Sequence, residues 1–172
     1  MATSRSNSTA AAPANLQEEI QKRRPFDLIE EEVHLNLIRT AQQQLDAAEA
    51  ILKTRGLSSA TYNTLRILRG AQTNDGAGHG RMCSEIGEQL VSRVPDVTRL
   101  VDRLEAAGLA ERARCDKDRR VVYVWITQKG LDLLADLDPV IRAHHKKTLA
   151  HLSKRDMDEL NRLLFRARHP EA

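Results

Sequence analysis

One stretch constrains this chain more than any other: "PDVTRLVDRLEAAG" running directly into "LAERARCDKDRRVVYVWIT", from Pro95 to Thr127. Val97, Leu100, Val101 and Leu104 recur at helical spacing and define one apolar face. Pro95 suits the first turn of a helix, where no intrahelical N–H is required, and Gly108 suits the position just past its end. The next residues change period. "LAERARC" roughly alternates apolar and charged residues, and Val121–Ile126 is β-branched and aromatic. Between them stand five consecutive charges, Asp116, Lys117, Asp118, Arg119 and Arg120. The pattern predicts a helix followed at once by a β-hairpin with a charged tip.

The flanking sequence adds helices on both sides. Phe26, Ile29, Val33, Leu37, Ala41, Leu45, Ala48 and Leu52 form a long stripe that Gly56 ends. "LSSATYNTLRILRG" follows, with Ser58 or Ser59 as N-cap and Gly70 near its C-terminus. After the glycine-rich "TNDGAGHG", a shorter helix, "RMCSEIGEQL", leads into the segment described above. Beyond the hairpin, Thr127 caps a helix carrying Leu131, Leu134, Leu137, Val140 and Ile141. Ser153, with Asp156 three residues on, opens a last helix carrying Met157, Leu160, Leu163 and Leu164. The expected fold is mainly α with a small β-hairpin wing: a winged helix-turn-helix flanked by N- and C-terminal dimerisation helices. The expected division is a disordered tail at 1–24, an N-terminal dimerisation helix at 25–56, a DNA-binding domain at 57–127 and C-terminal dimerisation helices at 128–172.

In a winged helix-turn-helix the second helix enters the major groove with its N-terminal half toward base edges. Here that half carries Arg93, Pro95, Asp96, Thr98 and Arg99, with Arg103 one turn beyond Arg99. The wing tip falls near the adjacent minor groove, whose negative potential favours arginine. Arg119 and Arg120 are so placed, and Asp118 can orient a neighbouring guanidinium by a bidentate pair. The net charge of +3 adds only a mild attraction to polyanions, so the argument rests on where the arginines lie.

"TRLVDRLEAAGLAER", "DKDRRVVYVWIT" and the "KG" after them resemble the multiple antibiotic resistance regulator (MarR) family of bacterial transcription factors. The match is continuous from about Ile86 to Gly130, and the helix order fits from about residue 26 to 168. The resemblance implies a cytoplasmic homodimer with intertwined first and last helices, bound to a pseudo-palindromic operator, most often as a repressor. It implies an Asp118–Arg120 pair at the wing tip, with Arg120 in the minor groove and Arg119 on phosphate. It also implies a small aromatic acid as effector, for which His34, Arg39, Tyr62 and Arg66 are the candidate contacts. Arg93 and Pro95 depart from the small or polar residues that many members carry there. The loop Thr73–Gly80 is longer and richer in glycine than usual.

Other chemistries find little support. Cys83 and Cys115 form no CxxC pair and no zinc spacing. Cys83 reads as a small apolar core residue, and Cys115 as an exposed, oxidisable thiol near the wing tip. His144 and His151, seven residues apart, would share a helix face, and they read as surface or interface histidines rather than metal ligands. "GAGHGR" lacks the phosphate-loop spacing. No apolar run reaches the ~18 residues of a membrane helix. The expected protein is not an enzyme, uses no cofactor or metal, and binds duplex DNA. The alternative is a dimeric winged-helix scaffold that binds protein.

Overall fold

The computed structural model describes residues 13–74, 80–114 and 121–171, with the side chains of residues 73 and 74 left aside. In chain order the elements are α1 (Leu16–Glu19), α2 (Ile29–Lys53), α3 (Ser59–Asn74), α4 (Cys83–Gln89), α5 (Val97–Ala106), β1 (Ala110–Arg114), β2 (Val122–Ile126), α6 (Gln128–Thr148) and α7 (Lys154–Arg168). This is the expected order, with one addition. The short α1 lies within the span read as tail, where Asn15 caps it and Leu16 is buried. Two compact units meet inside α2, between Ala47 and Ala48.

In the first unit, the α2 stripe leaves Ile29, Val33, Leu37 and Leu45 exposed in the single chain. The core belongs to the second unit. Leu65, Ile86, Val101, Leu104, Val124 and Leu134 are nearly inaccessible to solvent and share one cluster. Val101, Leu104 and Leu134 come from the faces their periodicity assigns, and α3, α4, α5, β2 and α6 surround a single apolar centre. Arg69 of α3 forms a forked pair with Asp138 of α6 at 2.9 and 3.2 Å, tying together helices distant in sequence.

One expectation about helix ends needs correction. Pro95 does not occupy the first turn of α5: that helix starts at Val97 with Asp96 as its N-cap, so Pro95 precedes the cap. Gly70 lies near the C-terminus of α3, which ends at Asn74, and α6 runs through Pro139 as its apolar stripe implies. Ser58, Gly56, Thr127 and Ser153 act as expected. Ser58 Oγ accepts from Thr61 N, and Gly56 takes φ +70° after α2. Thr127 and Ser153 cap α6 and α7.

The last turns of α2 support the start of α3. Glu49 accepts 2.7 Å bonds from both the backbone N–H and the hydroxyl of Ser59. These bonds, first the hydroxyl and then the amide, hold its carboxyl below the usual glutamate range. A lowered folded-state value stabilises the fold above the ordinary glutamate value, and that stability is lost as pH falls through the lowered one. Melting temperatures followed from about pH 6 down to about pH 3 should therefore fall less in Glu49→Gln than in the parent. Identical acid profiles would show that this contact carries no pH dependence.

β1 and β2 pair antiparallel from Ala110↔Ile126 to Arg114↔Val122. Arg81 adds a bridge to Val124, with reciprocal backbone bonds of 2.9 Å. The step from α5 through the hairpin to α6 is closed by the segment Thr127–Gly130. Thr127 Oγ1 accepts from Gly130 N and donates to Gly108 O at 2.8 Å, while Lys129 Nζ donates to Ala107 O at 2.8 Å. The start of α6 thus satisfies carbonyls left open at the end of α5. Gly108 takes φ +70°, the left-handed conformation that ends such a helix at least cost.

Candidate nucleic-acid interface

α4, the turn after it and α5 make the helix-turn-helix, and its outer face is set by the end of α5 that starts first. Asp96 Oδ1 accepts from Arg99 N at 3.0 Å, which fixes the first turn. The second oxygen of Asp96 sits 3.4 Å from Arg99 Nε and steers that guanidinium while leaving it 79% exposed. Leu100, Val101 and Leu104 are buried beneath α5, so helical geometry turns Thr98, Arg99 and Arg103 outward. Arg93, Pro95 and Asp96 are exposed just before the helix. The six residues expected at the major groove are therefore all solvent-facing.

The hairpin stands against this helix through Arg112, which sequence reasoning passed over. Its guanidinium meets Asp102 at 2.6 Å, Glu105, and the carbonyl of Thr98 at 3.1 Å, and its backbone N–H donates to Glu105 at 3.1 Å. Residues 98, 102 and 105 lie along one side of α5. Partial burial works to lower the Arg112 pKa. The bond to Asp102 and the charges of Glu105 and Asp102 outweigh it and raise the value above that of an ordinary arginine. A signal for this residue existed: Arg112 is two residues from buried Ala110, so it shares the inward strand face. The pairing also offsets two acids that would otherwise leave uncompensated negative charge near Arg99 and Arg103.

Asp118, Arg119, Arg120 and Cys115 lie outside the described residues. So does most of the glycine-rich loop, residues 75–79. Cys83 is half-buried and packs against the core, as expected. His144 belongs to α6, but His151 lies in the turn beyond it, so the expected shared helix face is absent. No group of three or more His, Cys, Asp or Glu among the described residues is arranged to hold a metal.

The four candidate effector contacts divide between the two units. In the first, His34 is exposed and Arg39 is paired with Glu19 at 2.7 Å. In the second, Tyr62 is buried in the core, and Arg66 lies over its ring at 5.8 Å. Tyr62 thus serves first as a core residue, and Arg66 keeps its exposed head.

This fold and sequence match known proteins. The MarR family profile matches residues 58–122, which covers α3 through the start of β2. A solved MarR transcription factor from Planctomyces limnophilus is 38% identical, with a TM-score of 0.61 over 81% of this chain and 98% of the other. The chain belongs to the MarR family. This MarR chain is also 29% identical over 119 residues to the transcriptional repressor MprA of Escherichia coli. That match takes in 69% of the chain and 65% of MprA, so the chain spans about two thirds of that relative's length. The MepR–DNA complex of S. aureus shares the fold at 19% identity, with a TM-score of 0.66 over 77% of this MarR chain and 93% of MepR. The family is one of transcriptional regulators. No helix among the described residues is long and apolar enough to cross a membrane.

Proposed function

We propose that this MarR family protein is a cytoplasmic, sequence-specific DNA-binding regulator. It acts as a homodimeric repressor on a pseudo-palindromic operator and is released by a small molecule or an oxidant. The observation that carries the reading is the outward row of Thr98, Arg99 and Arg103 on a capped helix beside a basic hairpin. The repressor activity of MprA and the DNA bound to MepR support it.

Arg93, Pro95, Asp96, Thr98, Arg99 and Arg103 are assigned to the major groove. Arg99 contacts a base edge or phosphate, and Asp96 holds it in place. Asp118, Arg119 and Arg120 are assigned to the minor groove and its phosphates. The partner is a second copy, covering the α2 stripe and α7. Every residue of α7 keeps solvent access in the single chain, including Leu160, Leu163 and Phe165. A small aromatic acid is the proposed effector class, with Arg66 offered to its carboxylate.

The test starts with selection of a duplex from a random pool by the purified protein, followed by titration across salt. The parent should prefer the selected duplex over unrelated DNA by about 1,000-fold or more. Arg99→Ala and Arg120→Ala should each weaken binding, with a salt slope shallower by about one unit wherever the arginine meets phosphate. Selection that enriches no sequence would sink the regulator reading and favour the protein-binding scaffold.

A further inference from the structure

We infer that Arg112 is a positioning residue for specific DNA recognition: it fixes the angle between the wing and the recognition helix α5. The inference rests on the regulator reading above. Arg112 leaves β1 and grips α5 over about two turns, at the Thr98 carbonyl, Asp102 and Glu105, while its own backbone N–H adds a second bond to Glu105. A planar guanidinium presents five donors in a fixed fork, so it can meet several acceptors at once and resist rotation about any one of them. A lysine ammonium has the charge without the fork.

Arg112 is poorly placed to touch DNA itself. Its side chain is 23% exposed, against 79% for Arg99, and its donors are directed to α5. Its influence passes through geometry. Base edges are read by α5, while phosphate contacts made by the wing set register and orientation. The outermost described pair, Arg114↔Val122, stands four residues beyond the hairpin base at Ala110↔Ile126, roughly 13 Å away. A tilt of about 10° at the base would displace that end by about 2 Å, enough to break a hydrogen bond. Helix and wing can then no longer satisfy one operator together, although unrelated DNA, which demands no fixed register, still binds.

The experiment uses Arg112→Lys, Arg112→Gln and Glu105→Gln in the full chain. Melting temperatures are recorded first. Each protein is then titrated with the selected duplex and with an unrelated duplex across salt. Arg112→Lys should melt near the parent and bind unrelated DNA as the parent does. It should bind the selected duplex about tenfold more weakly. Glu105→Gln, which takes the grip away from the other side, should lower the same ratio. A bulk structural role would move melting without moving this ratio. The assignment is overturned if Arg112→Lys keeps the parental preference. It is equally overturned if Arg112→Gln weakens both duplexes alike with a slope shallower by about one unit, the mark of a phosphate contact. Glu105→Gln tightening both duplexes with an unchanged ratio would also overturn it, and this arm stands even if the Arg112 variants do not fold. A parent protein that prefers no duplex is a separate result, which overturns the regulator reading and takes this assignment with it.

Discussion

Gly130→Ala is expected to destabilise the protein by about 3 kcal/mol or more, lowering the melting temperature by roughly 10 °C. A Cβ built at Gly130 collides with the carbonyl oxygen of Leu109 and comes within 2.6 Å of Ile126 Cγ1. Neither obstacle can swing aside. The Leu109 carbonyl accepts from Thr127 N at 3.1 Å, and Ile126 is buried as the last residue of β2. Relief would require α6 to move away from the hairpin base, which would also strain the Thr127 and Lys129 bonds to the end of α5. The backbone at Gly130 is ordinary helix, so helix propensity alone would favour alanine there. The sign of the change in thermal or urea unfolding therefore decides between packing and propensity. An alanine variant as stable as the parent would show that the approach of α6 to Leu109 is looser than described.

The second large effect concerns assembly. Leu163→Glu is expected to convert a dimer into monomers at micromolar concentration and to abolish high-affinity operator binding. Leu163 is 46% exposed in the single chain, on a helix with no buried residue, so the change costs the isolated fold little. In a two-fold interface it would place a carboxylate, with its symmetry mate, within an apolar surface, at a cost of several kcal/mol. A dimer also binds its two half-sites with one loss of translational freedom, so a monomer forfeits far more than half of the binding free energy. Sedimentation or light scattering reads the first effect and DNA titration the second. A Leu163→Glu protein that stays dimeric and binds normally would remove α7 from the interface.

Much of this was legible in the sequence because the apolar periods were clean. The α5 stripe, the hairpin and the Thr127 and Ser153 caps each depend on neighbours within a few residues, and each stands where the pattern placed it. Part of what escaped depends on distant contacts. α1 is too short to show a period. Arg112 looked like one more surface arginine, because its partners lie on a different element. His144 and His151 were paired across a helix end that their spacing could not reveal.

The bridge between Arg81 and Val124 changes what kind of object the wing is. Together with buried Ala110 and Ile126 it clamps the hairpin at its root, while the Arg114↔Val122 end is exposed. Mechanically this is a cantilever, and a cantilever separates two properties that evolution can adjust independently. Its direction is fixed at the support, by residues that also belong to the core. Its reach is set at the free end, where residues can be added, removed or recharged without touching the support. Diversification of DNA targets within such a scaffold should therefore concentrate in the length and charge of the tip, while changes at the root are tested first by whether the domain folds at all.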